Sequence, residues 1–362
     1  MTDTALIPSP DIPRVSVVIP AYNCCELLKI CLKCVARQTL PREQFEILVV
    51  DDASTDNTAD TAEEFARQAS LNLIVIRRDQ NAGPGAARNS GIVKARAQVI
   101  ALLDADTEPD DRWLEEGLAA IADYDLVEGH TVIGSKESAT PFTHQTQNLR
   151  AGGFPTCNMF LRKYVFERVG LFDTRFYDRK DRVHFREDTE LALRVIEAGL
   201  KTGFAEKAIV IHRPLSPRWN RPLQLAKRYR HDRLLRILHP DTFSDWTDVY
   251  EIAGRTFRRL RQKLYWGYLA SLVVLPVVSV SGLDAAIPTA SALLFLLGIW
   301  WLHVRIMGIA AFIRPVAWAA LPIVALVPFV FMYSVLKGVW LHPAGQKPLD
   351  GSNSVVESIT QN

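Results

Sequence analysis

Short apolar runs alternate with amphipathic stretches along the first hundred residues. The apolar runs at residues 15–20, 45–50, 73–76 and 99–103 predict strands. The run at 99–103, which is short and bounded by polar residues, predicts a strand buried on both faces. The stretches between them, which end at Gln38, Gln68 and Ala97, have helical periodicity. Strand and helix alternating in this way predict right-handed crossovers and an α/β fold with a mostly parallel sheet flanked by helices.

Polar side chains follow three of these strands, at the sheet edge where open α/β folds place their ligands. Tyr22 follows the first strand, Asp52 the second, and Asp104 and Asp106 the fourth. Two carboxylates one residue apart repel each other unless a cation lies between them, and Mg²⁺ or Mn²⁺ prefers such oxygen ligands. A solvated acidic turn is the alternative for Asp-x-Asp taken alone. Together the strand ends predict a nucleotide site with a divalent cation.

Four segments resemble the nucleotide-binding half of the inverting family 2 glycosyltransferases, which have the glycosyltransferase-A fold. They are Val-Val-Ile-Pro-Ala-Tyr-Asn (17–23), Val-Val-Asp-Asp-Ala-Ser-Thr-Asp-Asn-Thr (49–58), Asn-Ala-Gly-Pro-Gly-Ala-Ala-Arg-Asn (81–89) and Leu-Asp-Ala-Asp (103–106). The resemblance continues to about His212 and so covers a little over half of the chain. It implies a glycosyltransferase-A catalytic domain, which an α-helical membrane region follows.

The resemblance also implies which residues bind the nucleotide sugar. These are Pro20, Tyr22, Asp52, Arg88, Asp104, Ala105 and Asn158. Tyr22 is expected against the base, and Asp52 is expected to accept a hydrogen bond from the base, commonly uracil. From the residues alone, Asp51 is an alternative to Asp52 as the residue that binds the base. For Arg88, the alternative to a nucleotide contact is an ion pair with a helix carboxylate. Cys157 stands before Asn158, where the family commonly has glycine.

An acidic pair, Glu187-Asp188, opens a predicted helix that runs to Ala198 and resembles the catalytic pair of the family. Asp188 occupies the position of the base, which must remove the proton of the acceptor hydroxyl as its oxygen attacks the anomeric carbon. The alternative is an ordinary acidic first turn, which the helix dipole favours. By the same resemblance, Asp106, Asp104 and His212 are the expected metal ligands, although a histidine after a strand is often structural.

Charge and cysteine content exclude some other classes. Lys and Arg number 42 against 40 Asp and Glu, for a net charge of +2, and we expect no nucleic acid as a partner. Five cysteines, four of them within residues 24–34, do not form a disulfide framework and are expected to be small core residues. The first 13 residues lack an apolar core, so we expect the N-terminal part to stay in the cytoplasm.

The second half of the chain has the composition of a membrane region. Basic residues crowd residues 213–263, interleaved with leucines and aromatics, which favours helices lying on anionic headgroups. An acidic partner, or simple packing on the catalytic domain, is the alternative. Three charge-poor runs, residues 264–283, 285–302 and 316–336, then predict transmembrane spans. Their flanking Lys and Arg predict a multi-pass protein of the cell (inner) membrane, with the catalytic domain on the cytoplasmic face.

Five segments follow from these patterns. They are a flexible N-terminus (1–13), a glycosyltransferase-A catalytic domain (14–213), basic interfacial helices (214–263), a transmembrane region with about three spans (264–340) and a polar C-terminal tail (341–362).

The resemblance and the membrane half together predict a membrane-anchored, metal-dependent, inverting hexosyltransferase-like enzyme. Its donor is expected to be a nucleoside diphosphate sugar, a UDP-sugar first, and its acceptor a glycan or polyprenyl-linked molecule in cell-surface polysaccharide or glycolipid synthesis. A polyprenyl-phosphate sugar transferase and a catalytically inactive nucleotide-sugar-binding scaffold at the bilayer are the alternatives. A processive synthase is disfavoured, because the basic stretch reads Gln224-Leu225-Ala226-Lys227-Arg228 instead of Gln-x-x-Arg-Trp. A nucleotidyltransferase is disfavoured by the lack of an early phosphate loop rich in glycine and lysine.

Overall fold

The computed structural model describes residues 12–134, 140–143, 146–246, 249–252, 255–281 and 284–347. These residues form two units, one of residues 12–134 and 146–213, the other of residues 140–143 and 214–347. The predicted flexible N-terminus and polar tail lie mostly outside the described residues.

The first unit is an α/β unit. Its described strands are β1 (Val15–Ala21), β2 (Phe45–Asp51), β3 (Leu73–Arg77), β4 (Val99–Leu103), β5 (Thr107–Pro109), β6 (Leu126–Ile133), β7 (Asn158–Arg162), β8 (Tyr177–Asp178), β9 (Val183–His184) and β10 (Thr202–His212). Its described helices are α1 (Cys25–Val35), α2 (Thr58–Ala69), α3 (Pro84–Lys94), α4 (Trp113–Ala120), α5 (Lys163–Val169) and α6 (Glu187–Glu197).

Eight strands form one sheet in the order β3-β2-β1-β4-β7-β6-β10-β5. The first four are parallel to one another, which confirms the fold class that the alternating pattern predicts. Strand β7 is antiparallel to both β4 and β6, β10 is parallel to β6, and β5 is antiparallel to β10. The remaining short hairpin, β8–β9, forms a separate two-stranded sheet.

Helices α1, α2 and α4 contribute to a core on one face of this sheet. The core includes Val17, Ile19, Leu28, Leu32, Ile47, Val49, Trp113 and Leu114, all fully buried. All five cysteines are free thiols. Cys31, Cys34 and Cys157 are buried, as predicted for small core residues, whereas Cys24 and Cys25 are half-buried.

Helix α3 packs closely on the sheet through a glycine. A Cβ added to Gly91 would lie 2.5 Å from Cγ1 of Val18 and 3.1 Å from Cγ2 of Val50. Pro84 stands at the start of this helix, where a missing N–H costs nothing because the first N–H groups have no helical partner. The small residue therefore fixes how near α3, which carries Arg88, approaches the strands.

Register brings the predicted polar residues to one edge of the sheet. In the parallel pairing, Ala21 lies beside Asp51 and Val18 beside Leu102, so β1, β2 and β4 end together. At the far side, His212 ends β10 beside Thr107 of β5, one residue after Asp106.

The second unit is mostly helical. Its described elements are α7 (Arg221–Lys227), α8 (Asp232–Leu238), α9 (Phe243–Trp246), β11 (Val249–Ile252), β12 (Arg255–Arg258), α10 (Leu260–Val280), α11 (Ala286–Val304), α12 (Pro315–Ala319) and α13 (Leu321–Leu341). Three of its helical segments, 260–280, 286–304 and 315–341, are long and apolar enough to cross a membrane. The first begins at Leu260 instead of residue 264, because the basic residues before it continue into the helix.

The basic segment packs against α13. Arg230 is fully buried, and a Cβ on Gly338 would lie 2.4 Å from the Arg230 carbonyl oxygen, so the two backbones touch. Residues 140–143 also belong to this unit and not, as the predicted boundaries have it, to the catalytic domain. The reason is that Phe142 packs against the buried apolar cluster of the second unit, and its carbonyl oxygen accepts a hydrogen bond from the Arg218 N–H at 2.8 Å.

Replacing Gly91 with alanine should lower stability, although the same change inside a helix ordinarily raises it by about 0.5–1 kcal/mol. The added methyl meets the stiff Val18 side chain, and such overpacking costs about 1–3 kcal/mol. The midpoint of thermal unfolding should fall by several degrees. Lys94→Ala, at an exposed position of the same helix, is the control and should change little. A stabilised Gly91→Ala protein would contradict the close approach.

Candidate active site

Asp52 holds the loop that precedes α3. Its carboxylate accepts the N–H groups of Ala82 at 3.2 Å and Gly83 at 2.8 Å, and it pairs with Nε of Arg78 at 3.0 Å. Gly83 has a φ of +87°, and a Cβ there would lie 2.6 Å from the Tyr177 ring. Burial raises the pKa of Asp52, and the two amides and Arg78 oppose that effect. The loop is therefore fixed from both sides.

Arg88 is a buried cation between acidic groups. Its Nη2 donates to Oδ1 of Asp104 at 2.7 Å, and only 4% of its side chain is exposed. Burial lowers the pKa of Arg88, but the carboxylates of Asp104, Glu187 and Asp188 outweigh it and leave that pKa above its ordinary value. Nε and Nη1 of Arg88 have no partner among the described residues. These buried N–H groups remain available to an anionic ligand.

Asp106 and His212 face each other across the sheet edge. Oδ2 of Asp106 lies 3.8 Å from Nε2 of His212, and Nδ1 of His212 lies 3.0 Å from the carbonyl oxygen of Arg213. Burial, then the Asp104 carboxylate, raises the pKa of Asp106, while His212 lowers it.

This pair fits a divalent cation, since metal–ligand bonds of about 2.1 Å place neighbouring or opposite ligand atoms about 3–4 Å apart. Asp104 is engaged by Arg88 instead, and the described residues hold no group of three or more His, Cys, Asp or Glu arranged for a metal.

The pKa values of the two carboxylates at the start of α6 are shifted in opposite directions. His184 Nδ1 lies 3.0 Å from Oε1 of Glu187, and this imidazole together with Arg88 outweighs burial and lowers the pKa of Glu187 to about 2. Burial, then the Glu187 charge, raises the pKa of Asp188 to about 6. The Thr189 N–H, which donates to Asp188 at 2.6 Å, and the charge of Arg186 limit that rise.

Arg186 adopts a backbone conformation that favours glycine. Its φ is +77°, and its side chain is buried with the guanidinium 4.2 Å above the Phe185 ring. A left-handed backbone is uncommon for a residue with a Cβ and costs of order 1 kcal/mol. The chain thus places a positive charge directly before the acidic pair despite this cost.

The Asn158 side chain forms its hydrogen bonds with groups inside the protein. Its Oδ1 accepts the indole N–H of Trp113 at 2.8 Å, and its Nδ2 donates to the carbonyls of Ala208 at 2.9 Å and His130 at 3.2 Å. The side chain is fully buried, so in this structure it offers no polar atom to a sugar. The donor contact implied for Asn158 stays a prediction.

The remaining predicted residues lie at the strand ends. Pro20 belongs to β1, Tyr22 follows it, and Ala105 is buried after β4. Asp51 is 5% exposed, and its Oδ1 has no partner within the described part of the chain, whereas Asp52 is fully engaged. The choice between Asp51 and Asp52 for a base contact therefore stays open.

Sequence reasoning misses three contributors to this site. Arg78, His184 and Arg182 contact Asp52, Glu187 and Tyr22 respectively. Arg182 donates from Nη1 to the Tyr22 hydroxyl at 2.8 Å across 160 residues of sequence. Such a contact leaves no local pattern.

The chain is similar in sequence to known glycosyltransferases. Residues 16–186 match the sequence profile described as Glycosyl transferase family 2. Glycosyltransferase AglE of Haloferax volcanii is 34% identical over 212 residues, which are 56% of this chain and 67% of that protein. Poly(ribitol-phosphate) beta-N-acetylglucosaminyltransferase TarS of Staphylococcus aureus is 32% identical over 112 residues, 31% of this chain and 19% of that protein.

A solved structure shares the fold. The mannosyltransferase PcManGT of Pyrobaculum calidifontis, in complex with GDP-Man and Mn²⁺, superposes with a TM-score of 0.58 at 18% identity, covering 94% of this chain and 91% of that one.

The opposite pKa shifts of Glu187 and Asp188 predict that removing their charges changes the stability of the protein in opposite directions. Asp188→Asn should stabilise the protein above pH 6 by about 1–3 kcal/mol, because the native state then no longer holds a carboxylate whose pKa has risen from 3.8 to about 6. The gain should fade as the pH drops from 6 to 4, where Asp188 becomes protonated. Glu187→Gln, the matched control, should destabilise at neutral pH, since a lowered pKa stabilises the native state above pH 4.5.

Thermal unfolding of both variants between pH 4 and 8 measures these effects. Equal shifts of the same sign for the two variants would contradict the assignment of a protonatable Asp188 beside an ionised Glu187.

Proposed function

Because the chain belongs to glycosyltransferase family 2, we propose that it transfers a sugar from a nucleoside diphosphate donor to an acceptor hydroxyl with inversion at the anomeric carbon. One observation carries the proposal. A carboxyl group with a pKa of about 6, Asp188, stands beside an ionised carboxylate and a buried arginine that reaches the end of β4.

Asp188 is the proposed general base. A carboxyl group with a pKa of about 6 is ionised at neutral pH yet basic enough to accept a proton, which is the range that favours general base catalysis. As the acceptor oxygen attacks the anomeric carbon, its proton moves to Asp188 and the bond to the diphosphate breaks. Glu187 stays ionised and sustains the raised pKa of its neighbour.

Arg88 serves the leaving group. Its Nε and Nη1, which have no partner among the described residues, lie in a buried setting, where charge-assisted hydrogen bonds are stronger than in water. Donation to diphosphate oxygens would favour departure of the nucleoside diphosphate. Tyr22 is the proposed contact of the base, and Asp52 orders the loop that leads into α3.

Asp106 and His212 are the proposed holders of a divalent cation, with Asp104 beside them. When bound, Mg²⁺ or Mn²⁺ would neutralise charge on the leaving diphosphate. A carboxylate oxygen and an imidazole nitrogen 3.8 Å apart suit such an ion. The PcManGT complex, which contains GDP-Man and Mn²⁺, is consistent with this chemistry in a protein of the same fold.

The membrane helices favour an acceptor at the bilayer. Three apolar segments of spanning length support a membrane anchor, and one relative, TarS, acts on poly(ribitol-phosphate) according to its name. We therefore place the reaction in cell-surface glycan or glycolipid synthesis at the cytoplasmic face. The same helices favour a second candidate, transfer to a polyprenyl phosphate, whose ionised oxygen would need Asp188 less.

The full chain in nanodiscs, with Mn²⁺ and UDP-, GDP- or dTDP-sugars, should release nucleoside diphosphate. Asp188→Asn should slow release by about 10²–10⁴-fold, because general base catalysis contributes that much. Release that requires polyprenyl phosphate and survives Asp188→Asn would favour the second candidate. Metal-dependent nucleotide binding without turnover for every donor and acceptor would instead indicate a scaffold.

The pH dependence provides an independent check. Since Asp188 must be ionised to accept the proton, kcat/KM should be level above pH 7 and fall about tenfold per pH unit below 6. Arg186→Gly removes a charge that lowers the pKa of Asp188, so its falling limb should move to higher pH, while Arg186→Lys should keep the wild-type profile. A flat profile between pH 5 and 8 would exclude Asp188 as the base.

A further inference from the structure

The β8–β9 hairpin, residues 177–184, covers the loop that follows β3. The Tyr177 hydroxyl donates to Oδ1 of Asn81, and the Tyr177 ring lies where a side chain on Gly83 would be. Tyr177 pairs with His184 across the hairpin, and His184 contacts Glu187. One short element therefore touches both the loop held by Asp52 and the acidic pair.

Arg182 on this hairpin contacts Tyr22. Its guanidinium carbon lies 5.6 Å from the centre of the Tyr22 ring, and Nη1 donates to the Tyr22 hydroxyl at 2.8 Å. The backbone of Arg182 has a φ of +50°, a left-handed conformation that is uncommon for a residue with a Cβ. The hairpin turn thus directs this arginine at the ring despite an unfavourable backbone.

Tyr22 is the ring against which the proposed function places the nucleobase. The Tyr177 ring packs at Gly83, whose N–H group donates to Asp52, and Arg182 of the same hairpin contacts Tyr22, so the hairpin lies near the ends of both β1 and β2. A flat base has two faces, and Tyr22 can cover only one of them. The planar guanidinium of Arg182 already lies beside Tyr22, at the hydroxyl end of the ring.

We propose that Arg182 stacks on the face of the donor nucleobase opposite Tyr22, so that the hairpin of residues 177–184 clamps the base. The inference rests on the proposed nucleotide-sugar function. A base between the ring and the guanidinium needs about 7 Å, two van der Waals separations of about 3.5 Å. To admit the base, Arg182 must therefore give up its 2.8 Å hydrogen bond to the Tyr22 hydroxyl and move from the hydroxyl end of the ring to the far face of the base.

A guanidinium is suited to this role because it is planar and stacks on aromatic faces as well as donating hydrogen bonds. Such stacking tolerates every base, because each base has a π face. Arg182 is thus expected to strengthen binding of the nucleotide without choosing between uracil and guanine. Base identity is left to groups at the base edge. Asp51, the last residue of β2, and Asp52, which follows it, are the candidates.

The test compares ligands with and without a base on the full chain in nanodiscs with Mn²⁺. Calorimetry gives the Kd of UDP, GDP and inorganic pyrophosphate for wild type and Arg182→Ala. Loss of stacking should weaken UDP and GDP each by about tenfold, consistent with a desolvated cation–π contact, and leave pyrophosphate within about twofold. Lys180→Ala, an exposed cation on the same hairpin, is the matched control and should leave all three Kd values unchanged.

Arg182→Gly separates the side chain from the backbone. Glycine adopts a φ of +50° freely, so this variant relieves strain while removing the guanidinium, and it should lose nucleotide affinity as Arg182→Ala does. Wild-type affinity in Arg182→Gly would overturn the stacking role, as would equal weakening of pyrophosphate and UDP. A wild-type chain that binds none of UDP, GDP and dTDP overturns the proposed function itself, whereas nucleotide binding that is unchanged in Arg182→Ala overturns only the clamp.

Discussion

The buried guanidinium of Arg88 is the constraint on which the site depends. A buried cation is tolerated only with opposite charges around it, and here those charges come from Asp104 at the end of β4 and from Glu187 and Asp188 at the start of α6. Segments about 80 residues apart are thereby tied to one side chain. The close approach of α3 at Gly91, and the loop amides held by Asp52, fix the helix that presents it.

The same charge distribution separates the roles of two adjacent carboxylates. Glu187 faces His184 and Arg88, so it remains ionised, whereas burial and the charge of Glu187 raise the pKa of Asp188. Pairs of titratable groups whose environments drive their pKa values apart are typical of acid–base sites. Neither carboxylate has this property alone, and the pair would be an ordinary acidic first turn if Arg88 lay elsewhere.

Local pattern predicts only part of this arrangement. Strands β1 to β4 are predicted from their apolar runs. Strands β1, β2 and β4 are buried along nearly their whole length, whereas β3 is the edge strand of the sheet, with Ile74 42% exposed. Strand β5 is missed, because its three residues lie in what reads as an acidic turn, and β7 is missed because Asn158 resembles a sugar-binding motif. The buried amide network of Asn158 and the contact of Arg182 with Tyr22 join distant segments, so no window of sequence contains them.

Backbone strain marks the same edge of the sheet. Seven described residues other than glycine have a positive φ, and four of them flank the proposed site: Asn23, Ala53, Arg182 and Arg186. Asn23 follows Tyr22 and Ala53 follows Asp52, so each unfavourable turn sets the direction of a strand-end side chain. Strain of this kind persists where surrounding contacts enforce it, and it concentrates at binding sites. Glycine would adopt these conformations freely. The sequence nevertheless has residues with side chains at these positions, so we infer that the side chains, above all those of the two arginines, are needed at the site.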